Sequence, residues 1–408
     1  MISSFLIEFF TLSSQWNHSI LLCALSILGI LTLITTAVSL RNAQFQSFEP
    51  YFLLGLAQLL LFKLCQASDL LSFTCMGSVL NIAWIGLTYF RNHGKRVAEI
   101  AIKLSFLSLS QFCFLSFILA WATQHGYSLQ FSELTKQSDG FLEISLLMAA
   151  LFWIGASPFV LRFVDTLDGA PSFASIHFFA GSLISGGPLL QVLCANKTDP
   201  RLTIPLTAFG FASLILPAFA ALDQTRIDRL VSFLLTTQSG ILILTALHAP
   251  HMLPIFYLQI AFSVPGAIMG LHFWKHRRQS DKNWEDLAGA GQKHPWISFA
   301  WLSILSSIGG LPFTVGFSFY EAFTQKALAE SKIWFIALSI AAIVLAMTPI
   351  ARLAAFMFCK PTRHELIKHH QPRQTALIVF CSVALLLTKA FTLMLLREPS
   401  FLFRLGNG

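Results

Sequence analysis

Charge is scarce in this chain. Of its 408 residues, 11% are Asp, Glu, Lys or Arg, under half the ~25% of a soluble domain. That shortage excludes an ordinary water-soluble enzyme. The 55% hydrophobic content excludes disorder, which requires low hydrophobicity. Tyrosine is rare beside phenylalanine, 5 against 40, so most aromatic rings lack a polar handle and suit lipid or helix contact. The 7 cysteines, Cys23, Cys65, Cys75, Cys113, Cys194, Cys359 and Cys381, form no CxxC pair. Their spacing supplies neither a metal site nor a disulfide framework, and they read as small buried hydrophobes. A soluble domain is missing too. The longest polar segment, Lys275–Pro295, is a loop whose Gly289–Gly291 follows no strand, and neither GxGxxG nor GxxxxGK[ST] occurs. A second loop carries His364, His369 and His370 with Glu365, and reads as a solvated basic face rather than a metal site.

What the chain has is length of apolar sequence. A crossing helix needs ~20 apolar residues. Such runs lie near 18–40, 50–66, 70–90, 99–122, 142–163, 171–194, 203–221, 229–248, 252–274, 297–324, 333–358 and 375–396. The expected fold is therefore all-α, a polytopic transmembrane bundle of about 12 spans. Met1–Trp16 has no basic start and contains Glu8, which argues against a signal peptide. The net charge of +8 reads as loop charge that orients spans in a lipid bilayer; no nucleic-acid partner is expected. With alternating spans, 16 basic residues fall on one side, Arg162 and Arg226 among them, and 7 on the other. The richer side is then cytoplasmic, and both termini face away from it.

Three segments interrupt the apolar pattern. Phe152–Pro171 places Pro158 within a span, then Asp165, Asp168 and Gly169 before Pro171. Ser306–Phe317 contains Gly309, Gly310 and Pro312. Breaks of this kind at membrane depth survive when buried in protein or lining a cavity, and transporters use them for ion sites. The plainer reading is a packing kink. The third segment, Asp223–Gly240, runs from a charged turn into a helix bearing Thr236, Thr237, Gln238 and Ser239. Those groups either bridge neighbouring helices or hold water on a proton path.

These segments resemble the antiporter-like membrane subunits of respiratory complex I, the NADH–quinone oxidoreductase, most nearly the N type (mitochondrial subunit 2). Phe152, Pro158, Phe159, Asp165, Gly169, Ala170 and Pro171 fit that family's F-K-x-x-x-x-P-F-H-x-W-x-x-D-x-x-x-G-A-P. Gln224–Phe233 is similar to its Q-x-x-x-K-R-L-x-x-[YF] turn, with Asp228 where lysine is usual. Gly310, Leu311, Pro312, Gly316 and Phe317 fit G-[IL]-P-x-x-x-G-F, and Glu99 with Lys103 looks like the acid–lysine pair of E-A-x-x-K-Y-F. The likeness covers roughly residues 70–358.

The resemblance implies two inverted five-helix repeats, with broken helices at Pro158 and at Gly310–Pro312. It places variable helices in 1–69, the repeats in 70–220 and 221–374, and a last helix and tail in 375–408. It further implies a polar axis of buried lysines and a glutamate handling protons, membrane-subunit partners of a complex I-like assembly, and a bacterial inner-membrane location. No cofactor is expected on the chain itself, because no site for NADH, flavin or an iron–sulfur cluster is legible. The departures are as informative. Trp153, Leu183 and Tyr320 stand at the family's lysine positions, and Gly77 or Ser78 near its glutamate. Lys103 alone survives of the axis. The remaining proton-path candidates are His177, Gln238, Tyr320 and Glu321, with Glu143 and Arg352 better read as ion-paired or snorkelling ends. The expectation is a chain that does not conduct along the full lysine axis, with a dry centre at Trp153 and Leu183. Three functions stay open: a subunit contributing to proton translocation coupled to electron transport or to membrane-arm assembly, a non-conducting scaffold, or a subunit of a cation/proton antiporter or membrane-bound hydrogenase complex.

Overall fold

The computed structural model describes residues 2–41, 48–90, 95–134, 140–195, 200–275, 287–329, 331–361 and 372–397. The histidine loop containing His364, His369 and His370 lies outside them, as does most of the Lys275–Pro295 loop. Among the described residues the chain is helical, with a single isolated bridge between Asp69 and Gln130.

The first helices are α1 (Ile2–Arg41), α2 (Glu49–Cys65), α3 (Leu70–Tyr89), α4 (Lys95–Gln124) and the short α5 (Phe131–Leu134). An interrupted pair follows, α6 (Gly140–Trp153) and α7 (Leu161–Gly169), then α8 (Ser172–Ala195), α9 (Pro200–Leu222), α10 (Ile227–His248) and α11 (Leu253–Lys275). After the short α12 (Ala290–Lys293) comes a second interrupted pair, α13 (Pro295–Gly309) and α14 (Val315–Ala329), and finally α15 (Ile333–Cys359) and α16 (Pro372–Arg397). Nine described helices are long and apolar enough to cross a membrane. With α2 and the two interrupted pairs, each of the 12 apolar segments is filled.

Burial shows which helices form the middle. Of the most apolar window, 94% is buried in both α10 and α11, but only 22% in α4 and 33% in α15. The outer helices present Ile102, Phe106, Ile340 and Val344 outward, as expected where lipid or a neighbouring helix replaces water. The cysteines divide the same way. Cys65, Cys194 and Cys381 are buried, whereas Cys23, Cys75, Cys113 and Cys359 are exposed. The uniform burial expected from their apolar context therefore fails, because an apolar run in a membrane has a lipid face as well as a protein face. Lys63 is likewise exposed, in the last turn of α2, where its long stem can carry the ammonium to the interface.

The α2–α3 corner is fixed by backbone pairing. Leu70 N–H donates to Leu129 O, and Phe131 N–H to Ser68 O, both at 2.9 Å. Asp69 caps α3 by accepting from the Ser72 backbone N–H at 3.0 Å. That bond holds the half-buried carboxyl below its ordinary value. A depressed carboxylate stabilises the fold above its unfolded pKa, and the contribution is lost as pH falls through the folded one. Asp69→Ala should therefore cost about 1 kcal/mol at neutral pH and nothing in acid below the folded pKa. Thermal melts of both proteins at several pH values check this.

Candidate functional site

The two interruptions close in the same way. At the end of α6, Ala156 N–H donates to Leu151 O and Gly155 N–H to Phe152 O. At the end of α13, Leu311 N–H donates to Ser306 O and Gly310 N–H to Ser307 O. This paired 6→1 and 5→2 pattern is the Schellman motif, which needs a left-handed residue at its turn. Gly155 and Gly310 supply it, with φ of +61° and +80°. Pro158 and Pro312 then lie in the short connections that follow, ahead of α7 and α14.

A Schellman end leaves the carbonyl that follows its two paired ones, here Trp153 O and Ile308 O, without a backbone donor. Both breaks answer with a side chain. At the first, the Arg162 guanidinium in α7 donates to Phe152 O at 2.9 Å and Trp153 O at 3.3 Å. At the second, Gln238 Nε2 in α10 donates to Ile308 O at 2.9 Å. Gln259 Nε2 in α11 approaches Ser307 O at 3.4 Å.

Arg162 is the most unusual group in the molecule. It is 2% exposed. Its other bonds go to Gln111 Oε1 at 3.0 Å and Asn81 Oδ1 at 2.9 Å. The guanidinium also sits 5.2–5.7 Å from the ring centres of Phe152, Trp153 and Phe178. No carboxylate among the described residues comes within ion-pair distance of it. The cation is held by neutral acceptors, three rings and the negative end of α6. Counting it as loop charge is therefore incorrect; 15 basic residues remain on the richer side against 7. It also means that the centre of the first half is not plain apolar packing, although Trp153 and Leu183 are each 1% exposed. The Trp153 indole N–H donates to Ser185 Oγ at 2.9 Å.

His177 lies nearby with both ring nitrogens engaged. Trp84 Nε1 donates to its Nδ1 at 2.8 Å, and its Nε2 meets Gln58 Oε1 at 3.0 Å. Gln58 Nε2 donates onward to Leu25 O at 2.8 Å. These partners require the neutral ring with hydrogen on Nε2, which ties α1, α2, α3 and α8 together. Lys103 is elsewhere, at a mouth. It pairs with Glu99 at 2.8 Å and Asp165 at 3.5 Å. A cavity of about 180 Å³ there is lined by Glu99, Ile100, Lys103, Asp165, Asp168 and Arg229. Arg226 bonds Asp168 and lies 3.9 Å from Asp228, so opposite charges alternate around the opening. Glu143 is buried in the first turn of α6, and Arg352 reaches Leu222 O at 3.2 Å.

The second break is capped by amides and not by a cation, although unpartnered polar atoms are buried at both, Gln111 Nε2 being one at the first. Gln238 Oε1, Gln259 Oε1 and Ser307 Oγ are buried with no protein partner, and such groups are ordinarily met by internal water. Tyr320 is 2% exposed, and its ring lies against Gly310, where an added Cβ would come within 2.6 Å of it. Glu321 follows on α14 with Gln325 Nε2 3.5 Å away. One residue that went unread as a sequence is here. Lys389 on α16 donates from Nζ to Ser318 Oγ at 2.6 Å. The start of α14 packs tightly on the end of α13: a Cβ at Gly316 would lie 1.8 Å from Ser307 O. Gly316→Ala should therefore destabilise the fold by about 3 kcal/mol, read as a lowered melting temperature in detergent.

A membrane bundle with two side-chain-capped helix breaks has the architecture that transporter-type membrane proteins use. The chain belongs to the family described as NADH:quinone oxidoreductase/Mrp antiporter transmembrane proteins, which it matches over residues 67–346. It is 27% identical over 383 residues to NADH-quinone oxidoreductase subunit N 2 of Acidobacterium capsulatum, covering 87% of this chain and 76% of that protein. It is 25% identical over 332 residues to subunit N 1 of Rhizobium meliloti, covering 77% and 69%. In fold it is similar to a chain of respiratory complex I from Thermus thermophilus, with a TM-score of 0.74 at 20% identity over 92% of this chain and 86% of that one. A chain of the Mrp complex from a Dietzia species gives a TM-score of 0.80 at 14% identity, covering 93% and 81%.

Proposed function

We propose that this protein is an N-type membrane subunit of a complex I-like NADH–quinone oxidoreductase in a bacterial cytoplasmic membrane. In this reading its second half takes part in proton movement and its first half is closed. The observation that carries the division is the cation at each break. A guanidinium stays protonated across the physiological pH range, so Arg162 cannot take up and release a proton as a relay must. A fixed positive charge also repels an incoming cation, as charged constrictions do in selective pores. At the second break the groups are titratable or able to hold water: Glu321, Lys389, Gln238, Gln259 and Ser307.

Element order supports a repeat boundary between α8 and α9, ahead of the 220/221 division expected from the sequence and with α2 drawn into the first repeat. Residues 49–195 and 200–359 then each hold five members with the interruption in the fourth. The basic excess of one set of loops supports a cytoplasmic placement for that side and termini that face away from it. Chemistry on NADH and quinone would belong to partner subunits, which this chain would meet through its exposed apolar faces. Gentle purification of a tagged chain should bring other membrane subunits with it. Recovery of a lone subunit that exchanges cations for protons in liposomes would contradict the assignment and favour an independent antiporter.

A further inference from the structure

Among the described residues, Lys389 is the one buried lysine, at 9% exposure. It sits on α16, the last helix, which packs along α11, α13 and α14. An ionisable group at such a place is costly, ~2.5–3.5 kcal/mol on insertion scales, and this favours a paired or functional role. Its Nζ reaches Ser318 Oγ at 2.6 Å, and Ser318 is itself buried in the first turn of α14. Glu321 stands three residues on from Ser318 in the same helix, which puts the two on one helix face. An ammonium has three donors, and a hydroxyl both accepts and donates. Ser318 can therefore take a proton from Lys389 on one side and release its own on the other.

We propose that Lys389 and Glu321 are the proton-loading pair of the second half, with the amine supplied from α16 rather than from the broken helix itself. This rests on the functional reading above and names the site within it. In the transfer an N–H bond of the ammonium breaks and an O–H bond forms on the Glu321 carboxylate, Ser318 passing the proton. The pair goes from oppositely charged to neutral, and no other reactant is needed. Tyr320, adjacent to Glu321, offers a phenol in place of an amine. The break lies within two residues of Ser318, because Gly316 abuts Ser307 O and Gln259. The unpartnered oxygens of Gln238, Gln259 and Ser307 then give the proton a polar continuation towards α10 and α11. Tyr320, beside Glu321 on α14, is buried, and Cys381 lies about two turns before Lys389 on α16.

The test is proton translocation per NADH oxidised by the whole assembly in vesicles, with assembly checked in each variant. Lys389→Met should lower the yield. Lys389→Arg should lower it equally, because it keeps the charge and the Ser318 bond but cannot release the proton. Moving the amine, Lys389→Met with Tyr320→Lys, should restore part of the yield. If Lys389→Met fails to assemble, the arginine variant decides. Full yield with Lys389→Arg means the lysine is only a structural cation and overturns the proposal. A loss with Glu321→Gln but none with either Lys389 variant also overturns it, while leaving proton movement in this half standing. No loss with any of these variants overturns the functional reading as well.

Discussion

Trp153→Lys should unfold or strongly destabilise this protein, even though lysine is the residue of the family motif at that place. The Trp153 ring centre is 5.7 Å from the Arg162 guanidinium carbon. Two unit charges ~6 Å apart repel by about 3 kcal/mol at an effective dielectric of ~20. The indole bond to Ser185 would be lost too, worth about 1 kcal/mol. The motif also has a tryptophan where this chain has Arg162, so cation and aromatic ring have exchanged places across the break. The double variant Trp153→Lys with Arg162→Trp should accordingly be more stable than the single lysine variant. A double-mutant cycle on melting free energies should give a coupling of about 2 kcal/mol or more. Strict additivity would mean that position 153 does not sense the cation at 162.

Removing that cation should be the other large effect. Arg162→Ala removes a donor from Phe152 O, Trp153 O, Gln111 Oε1 and Asn81 Oδ1 together; Phe152 O keeps Gly155 N–H and Gln111 Oε1 keeps Asn81 Nδ2, so Trp153 O and Asn81 Oδ1 are the two left bare. Each buried acceptor left bare costs ~1–3 kcal/mol. For the two together the expected total is about 4 kcal/mol, in the range for breaking a buried charge network. Arg162→Lys should recover less than half, since a single ammonium cannot span both the backbone carbonyls and the two amides. The loss should be insensitive to salt, because the site is buried. Thermal denaturation in detergent at two ionic strengths reads all three.

The architecture was largely legible in the sequence because a membrane imposes one strong rule, ~20 apolar residues per crossing. Every apolar segment from 18–40 to 375–396 coincides with a helix or an interrupted pair among the described residues. The breaks were legible because glycine and proline mark the turns a helix cannot carry. Side-chain placement across the bundle was not. Arg162 read as loop charge because it follows Pro158 and precedes two aspartates, and charge counting follows chain position rather than depth. Its one sequence signal was its place at the motif tryptophan, opposite a tryptophan at the motif lysine. Lys389 read as part of a tail helix, although a lysine inside the apolar run Leu385–Leu396 is itself a sign of a buried partner. Ser318 and Glu321 lie some seventy residues away on another helix, a distance no local pattern spans. His177 was marked for its chemistry, yet its two ring partners, Trp84 and Gln58, come from helices far upstream.

The division of labour between the halves is tested most directly by one pair of substitutions, each removing a single carboxylate. Asp165→Asn acts at the mouth of the first half, and Glu321→Gln beside the second break. Proton translocation per NADH oxidised is measured in vesicles holding the intact assembly. The account predicts an unchanged yield for Asp165→Asn. For Glu321→Gln it predicts that the proton flux through this subunit falls by ~100-fold, the scale of a lost proton-transfer group. A yield that falls with Asp165→Asn and holds with Glu321→Gln, with assembly intact in both, would contradict it.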